Sequence, residues 1–425
     1  MSLTRRKFLK YSAGLSQVIV GAGLTGFAGA AFGKNTGDKS KIIVIGGGAG
    51  GCTVARYLNQ INPSLDITLV EKDKKYISAF MNNLVLGGDW PIDKITFDYQ
   101  SISKRGITVL NDTVTDLDIN TKKIVTASGK SLSYDRVILA TGTSANVSGI
   151  VGLDEQSLSN AAWTTGTTIN NLHSQIKSMK KGGKVVLSIP AGDISGFMAT
   201  YERASQIAYY LKTHNPKAKI IIVDGNAEQK VQSLFKQAWK ELYPGMIEFH
   251  NAMKTTKVMA NSVHAGGNDI PADVINMIAP QQASKLANTL GLTDDSGWCP
   301  VNSETFESTK IKNIHVIGDA LKSSGDFRKN AQTANGQGKT LALIMNQLLN
   351  DNQKKITLPP IIDTEYAILS PTYGVSSSRM LRLESGKWNI VSQGVSSPDT
   401  PVEQRKRDVL YAHSWFNNIT HEMFS

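Results

Sequence analysis

The chain reads KIIVIGGGAGG over residues 41–51, where a run of β-branched residues leads directly into a cluster of glycines. A short continuous apolar run predicts a buried strand of a parallel sheet. Gly46, Gly48 and Gly51 have the spacing G-x-G-x-x-G, and residues 53–60 are predicted to form a helix behind them. In this motif the first glycine makes the tight turn, the second lets the backbone approach a pyrophosphate, and the third lets helix and strand pack. The stretch predicts the start of a dinucleotide-binding fold.

A second strand completes this unit. Residues 66–71 read DITLVE and end on Glu71, twenty residues after the third glycine. A carboxylate at this place accepts a hydrogen bond from a ribose hydroxyl, and the helix N-terminus faces the phosphates. A glycine-rich structural turn is the alternative interpretation, and the complete strand, helix and acid disfavour it. We therefore predict a site for the adenosine end of FAD or NAD.

Two later segments favour FAD over NAD. Thr141 and Gly142 follow a predicted strand and resemble the crossover segment of flavoprotein reductases. Residues 314–319 read IHVIGD and resemble the second FAD motif of the same proteins. In that motif Gly318 permits close approach of the backbone and Asp319 reaches the ribityl hydroxyls. Occurring in this order after the first motif, the two segments predict FAD.

A second α/β unit follows in the middle of the chain. Its predicted elements are a strand over residues 184–189, a helix over 201–214 and a strand over 219–224. The loop at residues 190–196 reads PAGDISG, where a nicotinamide-binding domain would have its glycine motif. Because that motif is missing, the sequence disfavours NAD(P)H as the electron donor. We expect this domain to act as a scaffold or as a wall of the substrate site.

These elements predict an α/β fold with two Rossmann-like domains of the disulfide-reductase type and a small C-terminal module. The module is predicted to be separate, because the chain becomes rich in aromatic residues after Pro359 and Pro360. The predicted divisions are a signal peptide over 1–33, an FAD-binding domain formed by 40–165 and 290–350, a second Rossmann-like domain over 166–289, and the C-terminal module over 355–425.

The N-terminus has the pattern of an export signal. Arg5 and Arg6 are followed at fixed spacing by Phe8 and Leu9, and residues 11–32 are weakly apolar and rich in glycine and alanine. This pattern predicts a twin-arginine signal peptide and export of the folded protein to the periplasm. A membrane anchor is the alternative, and it is disfavoured because leucine and isoleucine, rather than glycine and alanine, drive membrane insertion. We therefore expect no stable membrane anchor after cleavage.

Composition is that of an ordinary globular protein, with 40% hydrophobic and 19% charged residues among 425. The formal net charge is +11, and four of these charges come from the predicted signal peptide, at Arg5, Arg6, Lys7 and Lys10. The charge therefore does not imply nucleic acid as a partner. Since the histidines show no ligand spacing, we predict no metal site.

Only two cysteines occur, Cys52 in the predicted first helix and Cys299 in a loop far along the chain. Sequence alone leaves open whether they form a bridge or are two separate buried residues, and we favour the second. No Cys-x-x-Cys-His motif is present, so we expect no haem c attached to this chain.

Over nearly its whole mature length the sequence resembles the flavoprotein subunit of flavocytochrome c sulfide dehydrogenase. The segments that carry the resemblance are residues 83–89, 201–206, 272–276, 297–301, 315–320, 334–339 and 414–419. The resemblance implies an exported flavoprotein that oxidises sulfide and passes electrons to a separate c-type cytochrome subunit. Members of this family have a characteristic C-terminal module, and the resemblance implies that the aromatic-rich end of this chain is that module.

The sequence departs from this family where the sulfur chemistry takes place. The family has a cysteine that tethers FAD, and Ala79 corresponds to it; two further cysteines form a redox disulfide, and Gly196 and Leu321 correspond to them. Sulfide attack on a disulfide requires a sulfur to accept it and a thiolate to pass electrons on. We therefore expect FAD to be bound non-covalently and the sulfide mechanism to be absent or altered.

Glu202 is the ionisable group that the family motif places near the flavin. A partly buried carboxylate there would have a raised pKa and would be a candidate for proton transfer. The alternative is a structural glutamate that pairs with Arg203 or with the helix dipole.

Three functions are compatible with these observations. The leading hypothesis is a periplasmic FAD-dependent oxidoreductase that passes electrons from a small reductant, such as a sulfur compound, to a c-type cytochrome. A catalytically silent FAD-binding scaffold is the second, since all three family cysteines are missing. A nicotinamide-dependent flavin reductase is the third, and the missing second glycine motif disfavours it.

Overall fold

The structure is a computed structural model that describes residues 39–154, 158, 163, 168–322, 327–350 and 357–425. The predicted signal peptide at residues 1–33 lies outside the described residues. Within the described part of the chain, no helix has the length and apolar character needed to cross a membrane.

Strands and helices are interspersed along the described chain, and several strands follow one another without a helix between them. The strands of the first part are β1 Lys41–Ile45, β2 Asp66–Glu71, β3 Lys75–Ile77, β4 Thr96–Asp98, β5 Thr108–Asn111, β6 Val114–Asp118, β7 Lys123–Thr126, β8 Ser131–Ser133, β9 Arg136–Leu139 and β10 Thr143–Ala145. Those that follow are β11 Lys184–Ile189, β12 Lys219–Asp224, β13 Ile247–His250, β14 Thr255–Met259, β15 Ser262–Ala265, β16 Asn268–Pro271, β17 Val274–Met277, β18 Gln281–Ala283, β19 Ile314–Val316, β20 Ile361–Ser370, β21 Tyr373–Glu384 and β22 Lys387–Val395. The helices are α1 Ala49–Ile61, α2 Asn83–Leu86, α3 Gln100–Lys104, α4 Ile169–Ser178, α5 Phe197–His214, α6 Lys230–Leu242, α7 Lys285–Thr289, α8 Ala331–Leu349 and α9 Val402–Phe424.

The first domain is built on a parallel sheet with the strand order β19-β9-β1-β2-β5. Ile42, Ile43 and Val44 of the central strand are at most 2% exposed, because helices or loops cover both faces of such a sheet. Strand β19 pairs with β9, so a late segment of the chain returns to this sheet. Helix α1 begins at Ala49, four residues before the predicted start, because its N-cap is Gly48 and the glycines of the motif form its first turn.

The second domain contains a parallel sheet with the order β13-β12-β11-β17 and an antiparallel meander of β14, β15 and β16. Strands β11 and β12 have the predicted bounds. Helix α5 begins at Phe197 rather than at Tyr201, because its N-cap is Gly196, whose φ of 68° ends the preceding loop. The α/β architecture with two Rossmann-like domains is thus confirmed.

The C-terminal module consists of the antiparallel sheet β20-β21-β22 and helix α9. Its helix packs into the rest of the molecule: the Phe416 ring lies 5.2 Å from that of Trp90, and Phe424 stacks on Phe97 at 4.9 Å. Ile361 and Phe424 belong to the core of the first domain, and Phe416 belongs to the core of the second. The module therefore has its own sheet but shares its core with both Rossmann-like domains.

Candidate active site

A cleft of about 320 Å³ opens at the carboxyl ends of β1, β2, β9 and β19. The loop before α5 and strand β20 form its other walls, so all three parts of the molecule contribute. Ligands of open α/β sheets bind at this edge. The predicted residues that line the cleft are Gly46, Gly48, Glu71, Thr141, Gly142, Glu202, Gly318 and Asp319.

The glycine loop is shaped for close approach of a ligand. Gly46 has a φ of 101°, and a Cβ on Gly51 would lie 1.8 Å from the Gly46 carbonyl oxygen, so a side chain at Gly51 would collide with the loop. The absence of a side chain at Gly51 thus allows α1 to pack closely against the turn. A Cβ on Gly48, in contrast, would meet no protein atom within 4 Å. Gly48 also caps α1 without a side-chain hydrogen bond. The open space at Gly48 and the N-terminus of α1 form a cradle that fits a pyrophosphate.

Glu71 at the end of β2 is held in position by backbone donors. Gly47 donates its N–H to Oε2 at 2.6 Å, and Asp73 donates its N–H to Oε1 at 2.9 Å. Each carboxylate oxygen has further lone pairs, so the side chain can also accept hydrogen bonds from a ribose. Its position beside the glycine loop matches the adenosine end of a dinucleotide.

Thr141 and Gly142 form the wall that follows β9. The Thr141 hydroxyl lies 2.6 Å from that of Ser284, and the Gly142 carbonyl accepts a hydrogen bond from the Ser284 N–H at 3.1 Å. On the next strand, Gly318 donates its N–H to Gln337 Oε1 at 2.7 Å. These contacts hold the ends of β9 and β19 in place beside the cleft.

Asp319 has one oxygen bound and one free. Oδ2 accepts a hydrogen bond from the Ser195 hydroxyl at 2.5 Å, whereas buried Oδ1 has no hydrogen-bond partner among the described residues. Burial raises the pKa of this carboxyl, and the Ser195 hydrogen bond opposes the rise. A buried acceptor without a partner costs free energy unless a ligand supplies a donor. The ribityl hydroxyls of FAD are such donors, so the residues of this cleft fit FAD.

Glu202 lies in α5 and is 3% exposed. Asn83 donates its side-chain N–H to Oε2, and Ile368 donates its backbone N–H to Oε1, both at 2.7 Å. Burial raises the pKa of Glu202 to about 7, although these two hydrogen bonds and the Arg203 charge favour the carboxylate. A group that titrates near neutral pH inside a cleft is able to accept or release a proton.

The structure also locates the three positions that lack the family cysteines. Ala79 and Gly196 line the cleft, whereas Leu321 is not part of its described lining and forms a β-bridge with Cys299. Both cysteines are free and fully buried. Burial raises the pKa of Cys52, and it raises the pKa of Cys299 to about 12. Neither thiol is therefore available as a thiolate.

In the second domain, the acid at the end of β12 is engaged by side chains of the same domain. Asp224 ends β12, where the acid of a second dinucleotide site would lie. It is fully buried, and its Oδ2 accepts hydrogen bonds from the Tyr201 hydroxyl at 2.6 Å and from Gln232 at 3.0 Å. The acid therefore stabilises the interior of its own domain.

Several residues of the cleft were not predicted from sequence. Trp163, Glu365, Tyr366 and Trp415 line it. Trp163 donates its indole N–H to the Ser195 carbonyl at 3.0 Å. The aromatic composition of the C-terminal module was a signal for Trp415 and Tyr366, but no local pattern indicated that Trp163 or Glu365 would reach the cleft.

Lys329 is a further residue that sequence reasoning missed. It is 7% exposed, its ammonium group donates to the Asp319 carbonyl at 3.0 Å, and its own carbonyl accepts from the Gly196 N–H at 2.8 Å. The ammonium also lies 3.7 Å from the centre of the Trp298 ring. Lys329 thus joins the loop before α5 to the turn that carries Asp319.

Two protein-family models match parts of this chain. The family model described as sulfide dehydrogenase [flavocytochrome c] flavoprotein chain, central, matches residues 169–279. The model described as flavocytochrome c sulphide dehydrogenase, flavin-binding, matches residues 358–424. The first match covers most of the second domain, and the second covers the C-terminal module.

Curated relatives include the mitochondrial sulfide:quinone oxidoreductase of Dictyostelium discoideum, 24% identical over 66% of this chain and 65% of that protein. The sulfide-quinone reductase of Aquifex aeolicus (strain VF5) is 24% identical over 65% of this chain and 67% of that protein. The chain thus spans about two thirds of the length of these relatives.

Solved structures share the fold. The sulfide:quinone oxidoreductase of Aquifex aeolicus has a TM-score of 0.71 at 18% identity, over 90% of this chain and 92% of that one. A NAD-dependent persulfide reductase from A. fulgidus has a TM-score of 0.63 at 18% identity, over 88% of this chain and 77% of that one. Family models match two of the three parts of the molecule that line the cleft, and with the curated relatives they confirm the resemblance: the chain is an FAD-dependent oxidoreductase related to the flavoprotein subunit of flavocytochrome c sulfide dehydrogenase.

Proposed function

We propose that this protein is exported to the periplasm, takes electrons from a small reductant and passes them to a separate c-type cytochrome. The observation that carries the proposal is the cleft itself, in which a dinucleotide cradle and a buried, titratable Glu202 line one cavity. The name of the matched family, a flavocytochrome, supports the cytochrome as acceptor. The relatives named sulfide:quinone oxidoreductases make a quinone the alternative acceptor.

In this proposal, some residues of the cleft bind FAD and Glu202 transfers a proton. The glycine loop and Glu71 would hold the adenosine and pyrophosphate, and Asp319 would accept hydrogen bonds from the ribityl chain. FAD, when bound, would accept the two electrons of the reductant. Glu202, as the carboxylate, would accept the proton that the reductant loses, and Asn83 holds it in place for this step.

No sulfur atom of the chain takes part in this proposal. Ala79 has no thiol to attach FAD, so the cofactor would be held by non-covalent contacts alone. Cys52 and Cys299 are buried and their raised pKa values keep them protonated. The reductant would therefore deliver its electrons without forming a bond to a protein sulfur.

Anaerobic titration of the purified protein tests the proposal. The flavin should be released by acid precipitation, which shows that it is not covalently attached. A small reductant, with sulfide and thiols tried first, should bleach the flavin, and oxidised cytochrome c should then restore its colour. NADH should leave the flavin oxidised, because the second domain lacks the glycine motif and Asp224 is engaged.

Two results would contradict the proposal. If the protein carries FAD but none of the reductants bleaches it, the chain is a silent FAD-binding scaffold. If the reduced flavin is reoxidised by a soluble quinone but not by cytochrome c, the acceptor is a quinone.

A further inference from the structure

Glu365 brings a second acidic side chain to the same cleft. It lies on β20 of the C-terminal module, lines the cleft, and its side chain is 9% exposed. Asp363 is on the same face of the strand, two residues earlier, and is fully buried. Two buried carboxyl groups on one face of a strand are stabilised by nearby cations or by protonation.

The cations come from two other elements. Arg328, in the segment before α8, places Nη1 3.3 Å from Glu365 Oε2 and Nε 3.7 Å from Asp363 Oδ2. Arg379 on β21 is paired with Asp363 across the two strands and adds a second positive charge. Asn330 donates its side-chain N–H to Asp363 Oδ1 at 2.7 Å. Arg328 therefore lies beside both carboxyl groups.

The balance of these contacts leaves Glu365 titratable. Burial raises the pKa of Glu365 towards neutral pH, Arg328, Arg379 and Asn330 oppose the rise, and the charge of Asp363 adds to it. Burial likewise raises the pKa of Asp363. Only Glu365 of the two lines the cleft.

Strand β20 also connects Glu365 to Glu202. Ile368, three residues beyond Glu365 on this strand, donates its N–H to Glu202 Oε1 at 2.7 Å. Three residues of a strand span about 10 Å. The cleft therefore contains two titratable carboxyl groups. One is contributed by α5, and the other lies on β20, three residues before the residue that hydrogen-bonds to the first.

We propose that Glu365 is a second proton acceptor of the cleft, which works with Glu202 during oxidation of a small reductant that loses two electrons and two protons. This inference rests on the proposed function. Per turnover the reductant RH2 becomes R, two electrons leave to two molecules of a one-electron acceptor, and two protons have to reach water. Glu202 takes up one of these protons and Glu365 the other, and both then release them to solvent.

The test compares four forms of the FAD-loaded full-length protein: wild type, Glu365→Gln, Glu365→Asp and Asp363→Asn. Infrared titration of the protonated carboxyl stretch reports each group without turnover. Glu365→Asp should show the same number of titrating carboxyl groups as wild type, and Glu365→Gln should show one fewer. Asp363→Asn should keep the titration that Glu365→Gln loses and move it to lower pH, because it removes the negative charge beside Glu365.

Kinetics give the second measurement. Flavin reduction by the reductant should be about a hundredfold slower in Glu365→Gln. The pH profile of this variant should lose one of the two steps of wild type, whereas that of Glu365→Asp should retain both. If Glu365→Gln has the infrared titration or the pH profile of wild type, the proposal about Glu365 is overturned. A wild-type flavin that no reductant bleaches would instead overturn the proposed function, and the infrared result would still decide whether Glu365 titrates.

Discussion

Glu202 shows how opposing contacts set the chemistry of a single residue. Its two hydrogen-bond donors stabilise the carboxylate, yet complete burial has the larger effect and raises its pKa to about 7. Arg203 is adjacent in sequence, but its guanidinium Nε donates to Asn83 Oδ1 at 2.9 Å. Asn83 thus bridges the two side chains, and Glu202 lines the cleft, as the proposed proton-transfer role requires.

Replacing Glu202 by glutamine should slow flavin reduction by about a hundredfold, because a general base contributes this much or more. Glu202 acts as a base only when ionised, so the wild-type rate should rise as pH increases through about 7. The variant should lose this rise. Stopped-flow mixing with the reductant under anaerobic conditions measures both effects. The exposed Glu304→Gln is the matched control and should behave as wild type; equal pH profiles in both variants would exclude Glu202 as the base.

At the scale of elements, the turn between β1 and α1 depends on two glycines for different reasons. A methyl group on Gly51 would collide with the Gly46 carbonyl, whereas one on Gly48 would point into open space. A glycine at position 51 is therefore required for the turn to fold, whereas we expect a glycine at position 48 to be required for binding of the ligand.

The pair Gly51→Ala and Gly48→Ala tests this division. Gly51→Ala should destabilise the FAD-free protein by about 1–3 kcal/mol, the usual cost of overpacking. Gly48→Ala should leave that stability unchanged but weaken FAD binding, because its methyl group occupies the cradle. Thermal unfolding of the FAD-free protein and fluorescence titration with FAD measure the two effects. Equal FAD affinity in Gly48→Ala and wild type would show that the pyrophosphate lies elsewhere.

Helix α9 is the element that joins the C-terminal module to the rest of the molecule. Phe416 is 2% exposed and contacts the rings of Phe80, Trp90 and Phe97. Phe416→Ala should lower the free energy of unfolding by about 3–5 kcal/mol. Denaturant unfolding followed by fluorescence and by circular dichroism should show one shared shift, because the cores are continuous. Loss of the module alone, with the two Rossmann-like domains still folded, would contradict this.

For the molecule as a whole, the proposed export of a folded protein agrees with the proposed non-covalent binding of the cofactor. A cofactor of this kind has to be acquired before the protein crosses the membrane, and the twin-arginine route carries folded proteins. We therefore expect Arg5→Lys combined with Arg6→Lys to retain the protein in the cytoplasm. Fractionation and immunoblotting measure this, with Lys10→Ala as a control that should still be exported. Equal export of both variants would contradict the proposed route.

The sequence by itself determined the features that depend on neighbouring residues. Strands β1 and β2, the glycine loop and Glu71 lie within about thirty residues, and each step of that pattern has a local physical cause. The bounds of β11 and β12 followed in the same way from continuous apolar runs. The family segments extended this local information to FAD and to the class of oxidoreductase.

Only the tertiary structure decided which distant residues share the cleft. Glu365 and Ile368 lie more than 160 residues beyond Glu202, and they reach it because β20 packs beside α5. Leu321 lies two residues after the second FAD motif, yet it forms a β-bridge with Cys299 and is not among the described residues that line the cleft. Such contacts depend on how three separate units pack around common cores, and no local pattern of residues encodes that packing.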